Sequence, residues 1–342
     1  MLLYIAELAA KHIVSRHEGV LAVYLTGSAA RGEATRSSDL DLCGVLRGDP
    51  VFSRQPPIVA AGRPVFYRLH PLRRYLDVEQ LLRTSVVLSA QIVDSVGLYD
   101  PEGVFAKIQA AVLQRYGDPF YLKARVSLSL EVAERHLLSA HLSARQRRAS
   151  QVASRLVQLV VYGLAPAVFF LADRPPTERR CLAALRPTCE TLGADNLYEE
   201  IVGLLGLEEA SSRWAWQAVG AVKQLSRLAS SVLTRHSPQL YWMNADWLSN
   251  AMADYFIEGA KELLLDGEKE ASIFCSMVIA SRLLDIVNGA EASLPAGLLI
   301  DMERLGSRVL GADRVEKPAM PARLRSAGTV VEETRRLASG QL

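Results

Sequence analysis

Between Val20 and Leu46 the chain changes its hydrophobic pattern twice within a few residues, and this limits the fold more than any other feature. Val20-Leu21-Ala22-Val23-Tyr24-Leu25 is apolar and partly β-branched and stops at Gly27-Ser28, the pattern of a buried strand feeding a turn. Ala29, Ala30 and Arg31 suit one short helical segment ended by Gly32. After a polar loop, Ser37 to Leu46 alternates with period two, which predicts a second strand carrying Asp39 and Asp41 on one face.

Those residue types suggest a chemistry. Backbone N–H groups at a strand-to-helix turn lack partners and point outward, where they can hold a phosphate. The Ser28 hydroxyl adds a donor, and Gly27 lets the phosphate come close. Two acids one residue apart on a strand have Cα atoms roughly 6.5 to 7 Å apart, so both carboxylates reach one divalent ion or a pair of ions. Their oxygens suit Mg²⁺ or Mn²⁺, which would bridge a triphosphate and help pyrophosphate leave. Alone, Gly-Ser is usually a turn and Asp-x-Asp a solvated strand end. Their order, their spacing and the strands on both sides make the combination specific.

On these residues the sequence resembles the DNA polymerase β-like nucleotidyltransferase superfamily, whose signature is Gly-Ser, a variable spacer and Asp-x-Asp on the next strand. Gly27, Ser28, Arg31, Gly32, Ser38, Asp39 and Asp41 fall at signature positions, and the specific match covers about residues 20 to 46. The form with Arg-Gly after the small residues is most similar to the bacterial branch that includes the aminoglycoside nucleotidyltransferases. The resemblance implies an α+β fold, a small mixed sheet followed by a larger all-helical domain. It implies transfer of a nucleoside monophosphate from a nucleoside triphosphate, with ATP the expected donor, to a hydroxyl of a small acceptor. Gly27, Ser28, Arg31 and Ser38 would bind the nucleotide, and Asp39 and Asp41 would hold Mg²⁺ or Mn²⁺.

Members of that superfamily usually place a third carboxylate on a later strand. Here the corresponding run, Gly62 to His70, contains no acid, and period two puts Phe66, Arg68 and His70 on one face. Three explanations stay open. In the first, a carboxylate of the helical part stands in, as the resemblance to kanamycin-type enzymes implies. Glu131 is then the expected catalytic residue, with Glu134 one helical turn away, although both suit a solvated helix face. His70 is a second candidate base, since an ordinary imidazole pKa near ~6.5 fits proton abstraction, although a histidine beside Pro71 also suits a loop. In the third, the chain keeps a nucleotide-binding shape in a regulatory role without transfer, and Arg68 holds a phosphate.

The chain's character shifts near residue 118, where Gly117-Asp118-Pro119 caps a new helix, which predicts domains over 1–118 and 119–342. Helical periods follow at roughly 120–144, 147–172, 177–205, 209–235, 245–266, 268–288 and 297–310, without a fixed repeat, so a bundle is expected. The chain has 342 residues, 50% hydrophobic and 22% charged, enough for one large core or two smaller ones. A net charge of +2 calls for neither nucleic acid nor membrane. Cys43, Cys181, Cys189 and Cys275 lack metal-like clustering and read as free thiols of a cytoplasmic protein.

Met1 to Arg16 reads as an amphipathic helix packed on a sheet rather than a secretion signal. Val157 to Ala172, interrupted by Gly163 and Pro166, is shorter than the ~20 residues of a bilayer span and reads as buried helix. Arg145, Arg147 and Arg148 form a basic cluster between helices, more in keeping with a solvated connection than with a triphosphate or RNA contact. Tyr241, Trp242, Trp247, Tyr255 and Phe256 suit a core, or stacking on a ring substrate. From Ala312 to Leu342, with Pro318 and Pro321, an Arg/Glu-rich helix would dock on the bundle or mediate a homodimer.

Overall fold

The computed structural model of the protein describes residues 1–50, 55–146, 148–312 and 319–341. Strands β1 (Val20–Thr26), β2 (Leu40–Leu46), β3 (Ile58–Ala60), β4 (Arg63–Pro71) and β5 (Val96–Tyr99) form one sheet in the order β3-β4-β2-β1-β5. Only β2 and β4 pair in parallel, so the sheet is mixed. Helices α1 (Leu2–Arg16), α2 (Gly27–Ala30), α3 (Arg73–Leu76), α4 (Val78–Thr84), α5 (Val86–Val93) and α6 (Val104–Tyr116) accompany it.

The period-two pattern decides what each face of the sheet does. Val23, Leu25, Leu40, Leu42, Val65, Tyr67 and Leu69 pack against Ile5, Ala6, Ala9, Ala10 and Ile13 of α1. The expected N-terminal amphipathic helix thus lies on the sheet, and burying Ile5 and Ile13 contributes about 1.5–3 kcal/mol each. Alternate residues face the other way, where Ala22, Tyr24, Cys43 and Val45 pack with Tyr75, Leu81, Leu82, Leu88, Ile92, Phe105 and Ile108. Because Leu40 and Leu42 are committed to the α1 side, Asp41 must share the opposite face with Cys43. Beneath it, Tyr24 stacks on Phe105 with ring centroids 4.1 Å apart and meets the Tyr75 hydroxyl at 3.1 Å.

The remaining helices are α7 (Pro119–Arg145), α8 (Ala149–Leu159), α9 (Ala165–Leu171), α10 (Cys181–Thr191), α11 (Asp195–Leu205), α12 (Ser212–His236), α13 (Pro238–Met243), α14 (Asn250–Leu265), α15 (Lys269–Asn288), α16 (Ala296–Leu310) and α17 (Ala319–Gln341). The chain separates into two compact units, Met1–Arg125 with Met243–Ala251, and Val126–Trp242 with Met252–Leu342. Within the second unit α15 is buried nearly all round and packs on α8, α12 and α16, as a helix without a polar stripe must.

Two helical expectations are corrected. The segment expected at 177–205 is two helices, because Gly193 at φ +65° ends the first and lets the chain turn before α11. Gly163 and Pro166 do not interrupt the apolar run; a π-helical turn, Val160–Leu164, joins α8 to α9. Ala149–Leu171 is therefore 23 residues, long and apolar enough to cross a membrane, with 83% of its apolar window buried. Gly163 is needed here because a Cβ would come within 2.6 Å of the Ala133 Cβ on α7. At the C-terminal end Arg335 of α17 pairs with Glu134 of α7, so this helix docks within its unit. Pro321 lies in α17, and Pro318 lies outside the described residues.

Candidate functional site

Where β1 ends, the backbone makes the turn that the sequence predicts. Thr26 is extended and paired with Asp41, and Gly27 then enters α2 at φ +74°. The positive φ favours glycine, and a Cβ on Gly27 would lie 3.1 Å from Asp41 Oδ2, a tight contact with that carboxylate. The Arg31 N–H returns to the Gly27 carbonyl at 3.3 Å and the Glu33 N–H to the Ser28 carbonyl at 2.8 Å, closing the turn.

Side chains fasten this turn on two sides. Ser38 is buried; its hydroxyl oxygen accepts the Thr35 N–H at 2.8 Å and stands 3.5 Å from Ser28 Oγ. The Ser38 carbonyl accepts from Arg63 at 2.9 Å, tying the loop before β2 to the start of β4. On the other side Thr26 donates to the Gln91 carbonyl at 3.2 Å. Arg31 reaches Glu33 at 2.7 Å and Asp94 at 3.5 Å, where Asp94 caps the C-terminal end of α5. Asp94 was not legible in the sequence: an acid after an apolar helix matches no motif, and only packing carries it to a residue 63 positions away.

Asp39, just before β2, is buried, and Asp41 is half-buried. The fold thus gathers Gly27, Ser28, Arg31, Ser38, Asp39 and Asp41 at one end of β1 and β2 in the first unit. Glu131 and Glu134 are exposed residues of α7 in the second unit, and Glu134 is the partner of Arg335.

The acid-free strand is β4. Its parallel register sets Phe66 beside Asp41, Arg68 beside Cys43 and His70 beside Val45. His70 is buried, and its Nδ1 lies 3.0 Å from the Arg74 guanidinium. Arginine can only donate, so Nδ1 of this candidate base is the acceptor in that contact.

Asp39 and Asp41 offer hard oxygen donors, with Asp41 Oδ2 against the Gly27 position, a donor set that would suit a divalent ion such as Mg²⁺ or Mn²⁺. Among the described residues no group of three or more His, Cys, Asp or Glu side chains is gathered as a metal cluster.

The basic cluster, the aromatic run and the cysteines have the following surroundings in the fold. Arg148 makes a two-pronged pair with Glu291, both bonds 3.0 Å, and Arg147 lies outside the described residues. Trp247 and Phe256 are buried, Tyr255 lies under the Arg179 guanidinium at 4.4 Å, and Trp242 is exposed, edge-on to Tyr241. All four cysteines are buried free thiols.

Residues 9–89 match the nucleotidyltransferase domain family. Among solved structures, a nucleotidyltransferase-like protein from Exiguobacterium sibiricum 255-15 is similar over 90% of this chain and 91% of that chain, with 12% identity and a TM-score of 0.34. No curated protein matches the sequence.

Proposed function

We propose, from the match of residues 9–89 to the nucleotidyltransferase domain family, that the protein transfers a nucleoside monophosphate from a nucleoside triphosphate, ATP in the first instance, to a hydroxyl of a small acceptor. The observation that carries this reading is the approach of Asp41 Oδ2 to Gly27, because it sets a carboxylate that could hold a metal beside a turn whose N–H groups could hold a phosphate.

In this reading Asp39 and Asp41 hold Mg²⁺ or Mn²⁺, which when bound supplies positive charge to the phosphates and the attacked phosphorus. The N–H groups of the Gly27 turn and the Ser28 hydroxyl hold the β- and γ-phosphates, and Arg31 adds a cation at the end of the same turn. The acceptor oxygen bonds to the α-phosphorus in line, the bond from that phosphorus to the bridging oxygen breaks, and pyrophosphate carries the electron pair away. The hydroxyl proton passes to a base, and Glu131→Gln tests a carboxylate of the helical unit in that role. Catalysis is mainly positioning and charge neutralisation. Four buried, unpaired thiols suit work in the reducing cytoplasm.

Calorimetry with several triphosphates in Mg²⁺, using Asp39→Asn/Asp41→Asn as control, tests the reading. Metal-dependent binding that the double variant loses is the expected result. A folded protein that binds no triphosphate overturns it. A second reading, a nucleotide-binding regulator without turnover, is favoured by the row Phe66, Arg68 and His70 on β4. Tight triphosphate binding without pyrophosphate release across a panel of hydroxyl acceptors would select it.

A further inference from the structure

The row on β4 does more than lack an acid. In a parallel pair in register, opposed residues point to the same side, so Arg68 shares a face with Cys43 and therefore with Asp41. Strand spacing and rise put the Cα atoms of Asp41 and Arg68 about 8 Å apart on the diagonal, within reach of an arginine side chain. Phe66, buried, fills the place directly beside Asp41, and Arg68 is half-buried.

Taking Asp39 and Asp41 as metal ligands, on which this step rests, we infer that Arg68 makes this a one-ion site, its guanidinium standing where a second divalent ion would otherwise be held and itself binding the triphosphate. The physical reason is charge. Two carboxylates and one guanidinium leave a single net negative charge, which one divalent ion more than neutralises. A second ion about 4 Å from the first would meet that ion and Arg68 with no carboxylate on β4 to offset the repulsion. Guanidinium suits the vacated role because its planar N–H groups match phosphate oxygens in pairs and its charge persists at any working pH.

The test counts Mn²⁺ by electron paramagnetic resonance and calorimetry in the presence of a non-hydrolysable triphosphate analogue. One Mn²⁺ per chain is expected for the wild type and two for Arg68→Asp, which restores a carboxylate to the strand. Arg68→Gln keeps the shape without the charge. It should bind one Mn²⁺ about tenfold more tightly without nucleotide and lose affinity for the metal-free triphosphate. Two ions in the wild type, or an Arg68→Gln protein with unchanged affinities for Mn²⁺ and triphosphate, would overturn the inference alone. A folded wild type that binds neither Mn²⁺ nor the analogue would overturn the metal-ligand reading as well.

Discussion

The two compact units treat their polar groups in opposite ways. At the end of β1 and β2 the sheet unit holds its carboxylates through backbone register, with Thr26 opposite Asp41 and a glycine at φ +74° against the Asp41 oxygen. In the helical unit, polar side chains close on one another. Arg155 donates to Gln158 and Asp285 at 2.8 Å, Gln158 donates to Asp285 at 2.7 Å, and Tyr162 donates to Glu178 at 2.6 Å. In the proposed function the main chain sets the first kind for a ligand, whereas groups bonded to one another fix helices against helices. Loss of the first kind should appear in binding, and loss of the second in stability.

The most forceful way to break that contrast is Asp41→Asn. Triphosphate binding in Mg²⁺ should weaken by more than about 100-fold in calorimetry with an unchanged melting temperature. A large drop in melting temperature instead would make Asp41 a structural residue like those of the helical unit. Gly27→Ala comes next. It should cost about 1–2 kcal/mol in urea unfolding, because an L-residue is strained at φ +74°, and weaken triphosphate binding as the new Cβ meets Asp41.

In the helical unit His136 sharpens the comparison through pH. Burial, helped by the Arg155 charge, lowers its pKa to about 4. Between pH ~6.5 and that value the unfolded chain takes up a proton that the folded one refuses, so this part of the stability is complete above pH ~6.5 and is lost as the solution is acidified toward the folded pKa. His136→Gln should flatten that decline by about 1–2 kcal/mol, discounted for the partly exposed ring, as read from urea midpoints at pH 7 and 4.5. Arg148→Ala should have the smallest effect, under about 1 kcal/mol, because its pair with Glu291 is 39% and 46% exposed.

Much of the site was legible because its signals are local. An apolar run ending in Gly27-Ser28 and a period-two run through Asp39 and Asp41 identify strand, turn and strand from neighbours in the chain. The same alternation showed that β4 carries Phe66, Arg68 and His70 where an acid would be expected. The match of residues 9–89 to the nucleotidyltransferase domain family and the helix-rich remainder agree with that reading. The break between α10 and α11 escaped because helical periodicity runs across Gly193, and a single glycine within such a pattern need not end a helix. The π turn at Val160–Leu164 escaped because it depends on how tightly α7 crosses at Ala133.

The sequence by itself determined the elements and the sides they present, since backbone preferences and side-chain periodicity act over a few bonds. Tertiary structure alone decided which distant groups meet. It brought Asp94 to Arg31, laid Asp41 on Gly27 and returned residues 243–251 to the sheet unit. Those encounters follow from burying both faces of the sheet at once, a condition on the whole packed core that no short window of sequence contains.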